Sequence, residues 1–90
     1  MEKTYVFNTE ILLKEKDGGK LLAVSMDEND HNYYEFTDIT KECLKMFSEG
    51  SQTSDILKMI RGKSVQATDQ ECEAFLEKFI RDLIKFKILR

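Results

Sequence analysis

The chain has 90 residues, of which 41% are hydrophobic and 34% charged, with a net charge of −3 and a pI near 5.2. That length predicts one domain, residues 1–90, with a single modest core, and the composition is not that of a disordered chain. The acidic balance argues against a general nucleic-acid binder, which needs a basic field to displace counterions from phosphates.

Residues 1–9 hold Tyr5, Val6 and Phe7, then the turn-prone pair Asn8 and Thr9, and read as a short strand-like lead-in. Residues 10–16 (EILLKEK) run into Asp17, Gly18 and Gly19, a hairpin signal. Residues 20–26 (KLLAVSM) alternate, with Leu22, Val24 and Met26 on one face and Leu21, Ala23 and Ser25 on the other. A polar turn follows at 27–30 (DEND). Residues 31–36 (HNYYEF) predict a third strand, in which Tyr34 and Phe36 share the core-facing parity and Tyr33 and Glu35 the opposite one. Three strands joined by short turns predict an antiparallel meander.

The apolar period then lengthens from two to about 3.6. Thr37 and Asp38 are cap candidates for a helix over 38–49, which Gly50 closes from the C′ position. Ser51 or Thr53 caps a second helix over 54–61, and Gly62 is expected to end it. After a loop at 63–67, residues 68–89 form the longest periodic stretch. It opens on a capping box of Thr68 and Glu71. One stripe comprises Cys72, Phe75, Phe79, Leu83 and Phe86; a second comprises Leu76, Ile80 and Ile84. From Lys78 onward five residues are basic (Lys78, Arg81, Lys85, Lys87, Arg90) and only Asp82 is acidic. The order is βββααα, an α+β fold.

Catalysis needs a constellation of groups, and none assembles. His31 is the single histidine and sits at a polar turn. Cys43 and Cys72 lie inside apolar helical patterns and read as buried, reduced core residues. Two cysteines and one histidine do not make a zinc site. Gly62-Lys63-Ser64 is a fragment of a phosphate-binding loop, but it follows a helix where that loop precedes one. Asp27, Glu28 and Asp30 lack the length and closing glutamate of a calcium loop. No metal or other cofactor is expected. The first ten residues contain no signal-type apolar run and no segment has transmembrane length, so a soluble cytoplasmic protein is expected, with no membrane partner. What is left is a non-enzymatic binding module. Its assets are an open sheet edge, a broad apolar helix and a basic helix end, a surface to which peptides add as an extra strand.

At this point the residues resemble the PqqD family. ILLKEKDGGKLL (11–22), NYYEFT (32–37), SEGSQTSDIL (48–57) and FIRDLIKFKIL (79–89) follow that family's patterns in order and spacing, from about Asn8 to Leu89. The chain departs from them in having Thr37 where the family has Asn, Lys87 where it has Gly, and a first helix about one residue longer. The resemblance implies a small winged-helix-like recognition element. Such elements bind the leader segment of a ribosomally made precursor peptide and deliver it to a modifying enzyme, often a radical SAM protein. The leader adds antiparallel to the third strand, beside the third helix. Carried over by position, the groove comprises Asn32, Tyr33, Tyr34, Glu35 and Phe36 on the strand side. On the helix side it comprises Phe75, Leu76, Lys78, Phe79, Ile80, Arg81 and Ile84. Which apolar stripe faces that groove stays open.

Other readings remain, among them a subunit that only scaffolds an enzyme without touching the peptide. Three helices and a small sheet also suit a winged-helix DNA-binding regulator, although Asp69, Glu71 and Glu73 load the start of the last helix with negative charge. An exposed third strand could also pair with its counterpart in a second copy to give a homodimer.

Overall fold

The computed structural model describes residues 5–26 and 33–89. The turn bearing Asp27, Glu28, Asp30 and His31, and Asn32 of the expected groove, lie outside the described residues. The elements are β1 (Ile11–Lys16), β2 (Lys20–Ser25), β3 (Tyr33–Phe36), α1 (Asp38–Ser48), α2 (Thr53–Lys63) and α3 (Asp69–Lys85). The expected α+β order therefore holds. The sheet is an antiparallel meander, β1-β2-β3, with Leu13 opposite Ala23 and Ala23 opposite Tyr34. Gly18 and Gly19 both take positive φ in the β1–β2 turn, which glycine adopts without a Cβ clash.

Parity decides the two sheet faces. Leu21, Ala23 and Phe36 are buried on the inner face. The outer face carries Leu12, Val24 and Tyr33 in one cross-strand row. The inner face packs on Cys43, Leu44 and Phe47 of α1, Ile56 and Ile60 of α2, and a buried arc of α3. Glu15, at the sheet's end, reaches α1: Lys45 Nζ donates to its carboxylate at 2.9 Å. That bond holds the Glu15 carboxyl below its usual range and raises the Lys45 ammonium.

Local signals explain most boundaries. The Glu71 N–H donates to the Thr68 hydroxyl at 3.1 Å, and the Thr68 N–H to the Glu71 carboxylate at 3.2 Å, completing the capping box. Gly50 stands at the C′ position of α1 with φ 81°; its N–H donates to Phe47, and that of Ser51 to Met46. This pair of bonds is a Schellman motif.

Several boundaries move by one residue, the start of α2 among them, where Gln52, not Ser51 or Thr53, is the N-cap. Two helix ends differ by more. Gly62 does not end α2, which continues to Lys63. Glycine inside a helix costs only about 1 kcal/mol relative to alanine, and the buried Ile56 and Ile60 hold the helix against the core. The last helix stops at Lys85, short of residue 89. Lys87 occupies the left-handed region, φ 63°; its N–H donates to Ile84 (3.0 Å) and that of Ile88 to Leu83 (2.9 Å). This is a second Schellman motif, built on lysine where glycine would be unstrained.

A tertiary tether holds that turn. The Asn8 N–H donates to the Ile88 carbonyl and the Asn8 side-chain amide to that of Lys87, both at 2.8 Å, beside a bridge between Phe7 and Leu89. The turn swings Ile88 and Leu89 into the core. Relieving the left-handed lysine should stabilise the fold. Lys87→Gly is expected to raise unfolding free energy by about 0.5–1 kcal/mol in urea denaturation. A loss of stability would mean that the lysine side chain contributes more than its backbone strain costs.

Candidate functional site

β3 has β2 on one side only. Among the described residues nothing pairs its other edge. Its row of peptide N–H and C=O groups is a template for another strand. Inside that edge, β3 meets α3 through aromatic rings. Tyr34, half-buried on the inner face, stacks on Phe86 with ring centroids 4.2 Å apart. Phe36 meets Phe79 edge-on at 5.9 Å, and Phe79 in turn stacks with Phe75 at 6.2 Å. The result is an aromatic wall along one flank of α3, with Phe75 36% exposed at its outer end.

The outer face of the edge is different. Tyr33 is 61% exposed. Glu35 lies between two lysines of the β1–β2 hairpin, Lys16 at 3.4 Å and Lys20 at 3.7 Å. Exposed pairs of this kind contribute about 0–1 kcal/mol each. Lys14 stands in the same cross-strand row as Leu22 and Glu35. Lys78 is exposed one residue before Phe79.

The two stripes of α3 prove to be its two flanks. The buried arc between them draws on both: Cys72, Phe79 and Leu83 from the first, Leu76 and Ile80 from the second. Phe75 and Ile84 are the exposed members of each. Phe75, Phe79 and Phe86 form the flank next to β3. Leu76, Ile80 and Ile84 turn toward α2 and line a cavity of about 670 Å³ with Leu57 and Tyr5. Glu73, Glu77 and Arg81 lie on the same side.

The structure thus brings Tyr34, Phe36, Phe75 and Phe79 together, with Tyr33, Glu35 and Lys78 around them. It puts Leu76, Ile80, Arg81 and Ile84 on the other flank. Phe86 was absent from the expected groove, although it shares a stripe with Phe79. Its stack with Tyr34 depends on how α3 ends, which periodicity does not report. Cys43 offers no nucleophile: burial pushes its thiol up to about 12, so the thiolate is absent at neutral pH. Among the described residues no helix is long and apolar enough to cross a membrane.

No model of a known protein family matches the chain, and no curated protein does. Among solved structures, TbiB1 in complex with the TbiA(beta) leader peptide aligns with a TM-score of 0.82, over 94% of each chain, at 14% sequence identity. At so low an identity it is the course of the backbone that is shared, and this chain has the same fold as TbiB1.

Proposed function

We propose that this protein binds the leader segment of a ribosomally made precursor peptide and presents it to a modifying enzyme, with no chemistry of its own. The leader adds as a fourth strand along β3. Its backbone pairs with the open edge, and alternate side chains enter the space beside Tyr34, Phe75, Phe79 and Phe86. The remaining side chains lie over Tyr33 and Glu35. Holding the precursor close to the enzyme raises its effective concentration at the catalytic site. A radical SAM protein is the partner that the sequence resemblance suggests.

One observation carries this reading. An unpaired strand edge lies beside an aromatic helix flank, in a fold that TbiB1 shares, and TbiB1 is in complex with a leader peptide. The DNA-binding alternative has no comparable support, since α3 begins with Asp69 and Glu71, which phosphates would repel.

The test is an amide NMR titration with the leader of a precursor encoded beside this chain's gene. Residues 33–36 and the α3 flank at Phe75, Phe79 and Phe86 are expected to shift and saturate. If those amides stay unmoved at saturating peptide, the groove is not the binding site.

A further inference from the structure

An antiparallel sheet that covers a core with one face ordinarily turns polar side chains to water on the other. The outer face of this sheet does not. Its middle row, in which Leu12 stands opposite Val24 and Val24 opposite Tyr33, carries no charge. Leu22 of the next row adds to the patch. Leu12 is 43% exposed and Tyr33 more so. Leu22 and Val24 are half-covered by their neighbours on the sheet, but neither packs against the core. A partner can therefore reach all four side chains without disturbing the packing of this chain.

The two rows are ordered so that the face fits itself. Taken from β1 to β3, the first row is Leu12, Val24, Tyr33, and the second is Lys14, Leu22, Glu35: a base, an apolar residue, an acid. Lys14 has no ion-pair partner among the described residues. A half-turn about an axis along β2 reverses the order of the strands and keeps each row in place. β1 of one copy then lies over β3 of the other. Leu12 meets Tyr33, Lys14 meets Glu35, and Leu22 and Val24 meet their own counterparts. A half-turn about an axis across the strands would instead set Leu12 on Lys14 and Tyr33 on Glu35, which disfavours it. Lys16 and Lys20 stand beyond these two rows, at the solvated rim.

We propose that the outer face of the sheet is the docking site for a second copy of this chain. The two sheets pack face to face about a two-fold axis along β2, with their strands nearly aligned. The open edge of β3 lies at the side of this sandwich and stays free in both copies. The inference therefore stands or falls separately from the peptide-binding reading. Strands of six residues, three abreast, give a face about 20 Å by 15 Å. That is below the size of a standard interface, so a weak dimer is expected, with Kd of about 10–500 µM.

Sedimentation velocity on the full chain, from about 5 to 1000 µM, tests it. A reversible monomer–dimer equilibrium is expected. Lys14→Glu should weaken it at least ~10-fold, because two like-charge contacts replace two attractive ones. Leu12→Asp, at an exposed position and so compatible with folding by circular dichroism, should abolish it. The register has its own test. Val24→Cys places a thiol near the axis, whereas Val65→Cys places one on a loop off this face. The native Cys43 and Cys72 are buried and do not compete. A short bismaleimide, able to span the ~10 Å between packed sheets, should link the Val24→Cys variant to itself at least ~10-fold faster than the Val65→Cys variant. A monomer throughout the concentration range overturns the proposal. So does a dimer that survives both Lys14→Glu and Leu12→Asp, which would place the contact elsewhere, the β3 edge included. Equal linking of the two cysteine variants overturns the two-fold arrangement about β2.

Discussion

Phe79→Ala is expected to cost about 3–5 kcal/mol of stability, the largest loss among the changes considered. Phe79 is 8% exposed and touches three other rings: Phe36 of β3, Phe47 of α1 and Phe75 of its own helix. Its ring contacts join the sheet edge, the first helix and the last helix. Truncation removes its burial and leaves a ring-sized void that three fixed elements cannot close. Domains of this size have about 5–15 kcal/mol to lose, and small ones lie toward the lower end. The variant should therefore unfold at much lower urea concentration with its m-value unchanged. A loss below about 1 kcal/mol would mean that α3 is held to the sheet by other contacts.

The second large effect is on binding. Phe75 stacks on Phe79 yet remains a third exposed, so its ring contributes less to the core than Phe79 does. If the leader lies along β3, Phe75 and Phe86 are the rings its inward side chains meet. Aromatic anchors of this kind typically cost about 2 kcal/mol or more on truncation, roughly 30-fold in Kd. Phe75→Ala is expected to weaken leader binding by that amount, read by titration calorimetry, while the thermal midpoint falls only a few degrees. Ile84 provides the comparison, as it is on the same helix and of similar exposure but on the other flank. Phe75→Ala should weaken binding more than Ile84→Ala. The reverse ranking would move the peptide site to the cavity beside α2.

Much of this molecule is local and so could be read in its residues. Parity alone set Phe36 and Tyr34 on one face of β3 and Tyr33 on the other, because a strand has no other way to place neighbouring side chains. The capping box of Thr68 and Glu71 and the C′ glycine at Gly50 depend on bonds spanning three to five residues, which the chain specifies wherever it lies. The candidate site was partly legible. The open third strand and the broad apolar helix followed from element order and periodicity.

What required the tertiary structure was the division of labour on α3. Its stripes Cys72–Phe86 and Leu76–Ile84 are equally apolar and equally periodic. Nothing in a repeat of 3.6 says which neighbour each will meet. The choice is made by packing: Phe79 against Phe36 and Phe86 against Tyr34 turn one flank to the sheet edge, so the other must face Leu57 of α2. The end of the same helix was hidden for a related reason. Lysine is a poor residue for a left-handed turn, and Lys87 is held there with the help of hydrogen bonds from Asn8, 79 positions away in the chain, and of the burial of Ile88 and Leu89. Composition and spacing thus determined the elements and their faces, because those are near-neighbour effects. Which face of α3 turned to the sheet edge, and which to α2, was decided by contacts between residues far apart in sequence.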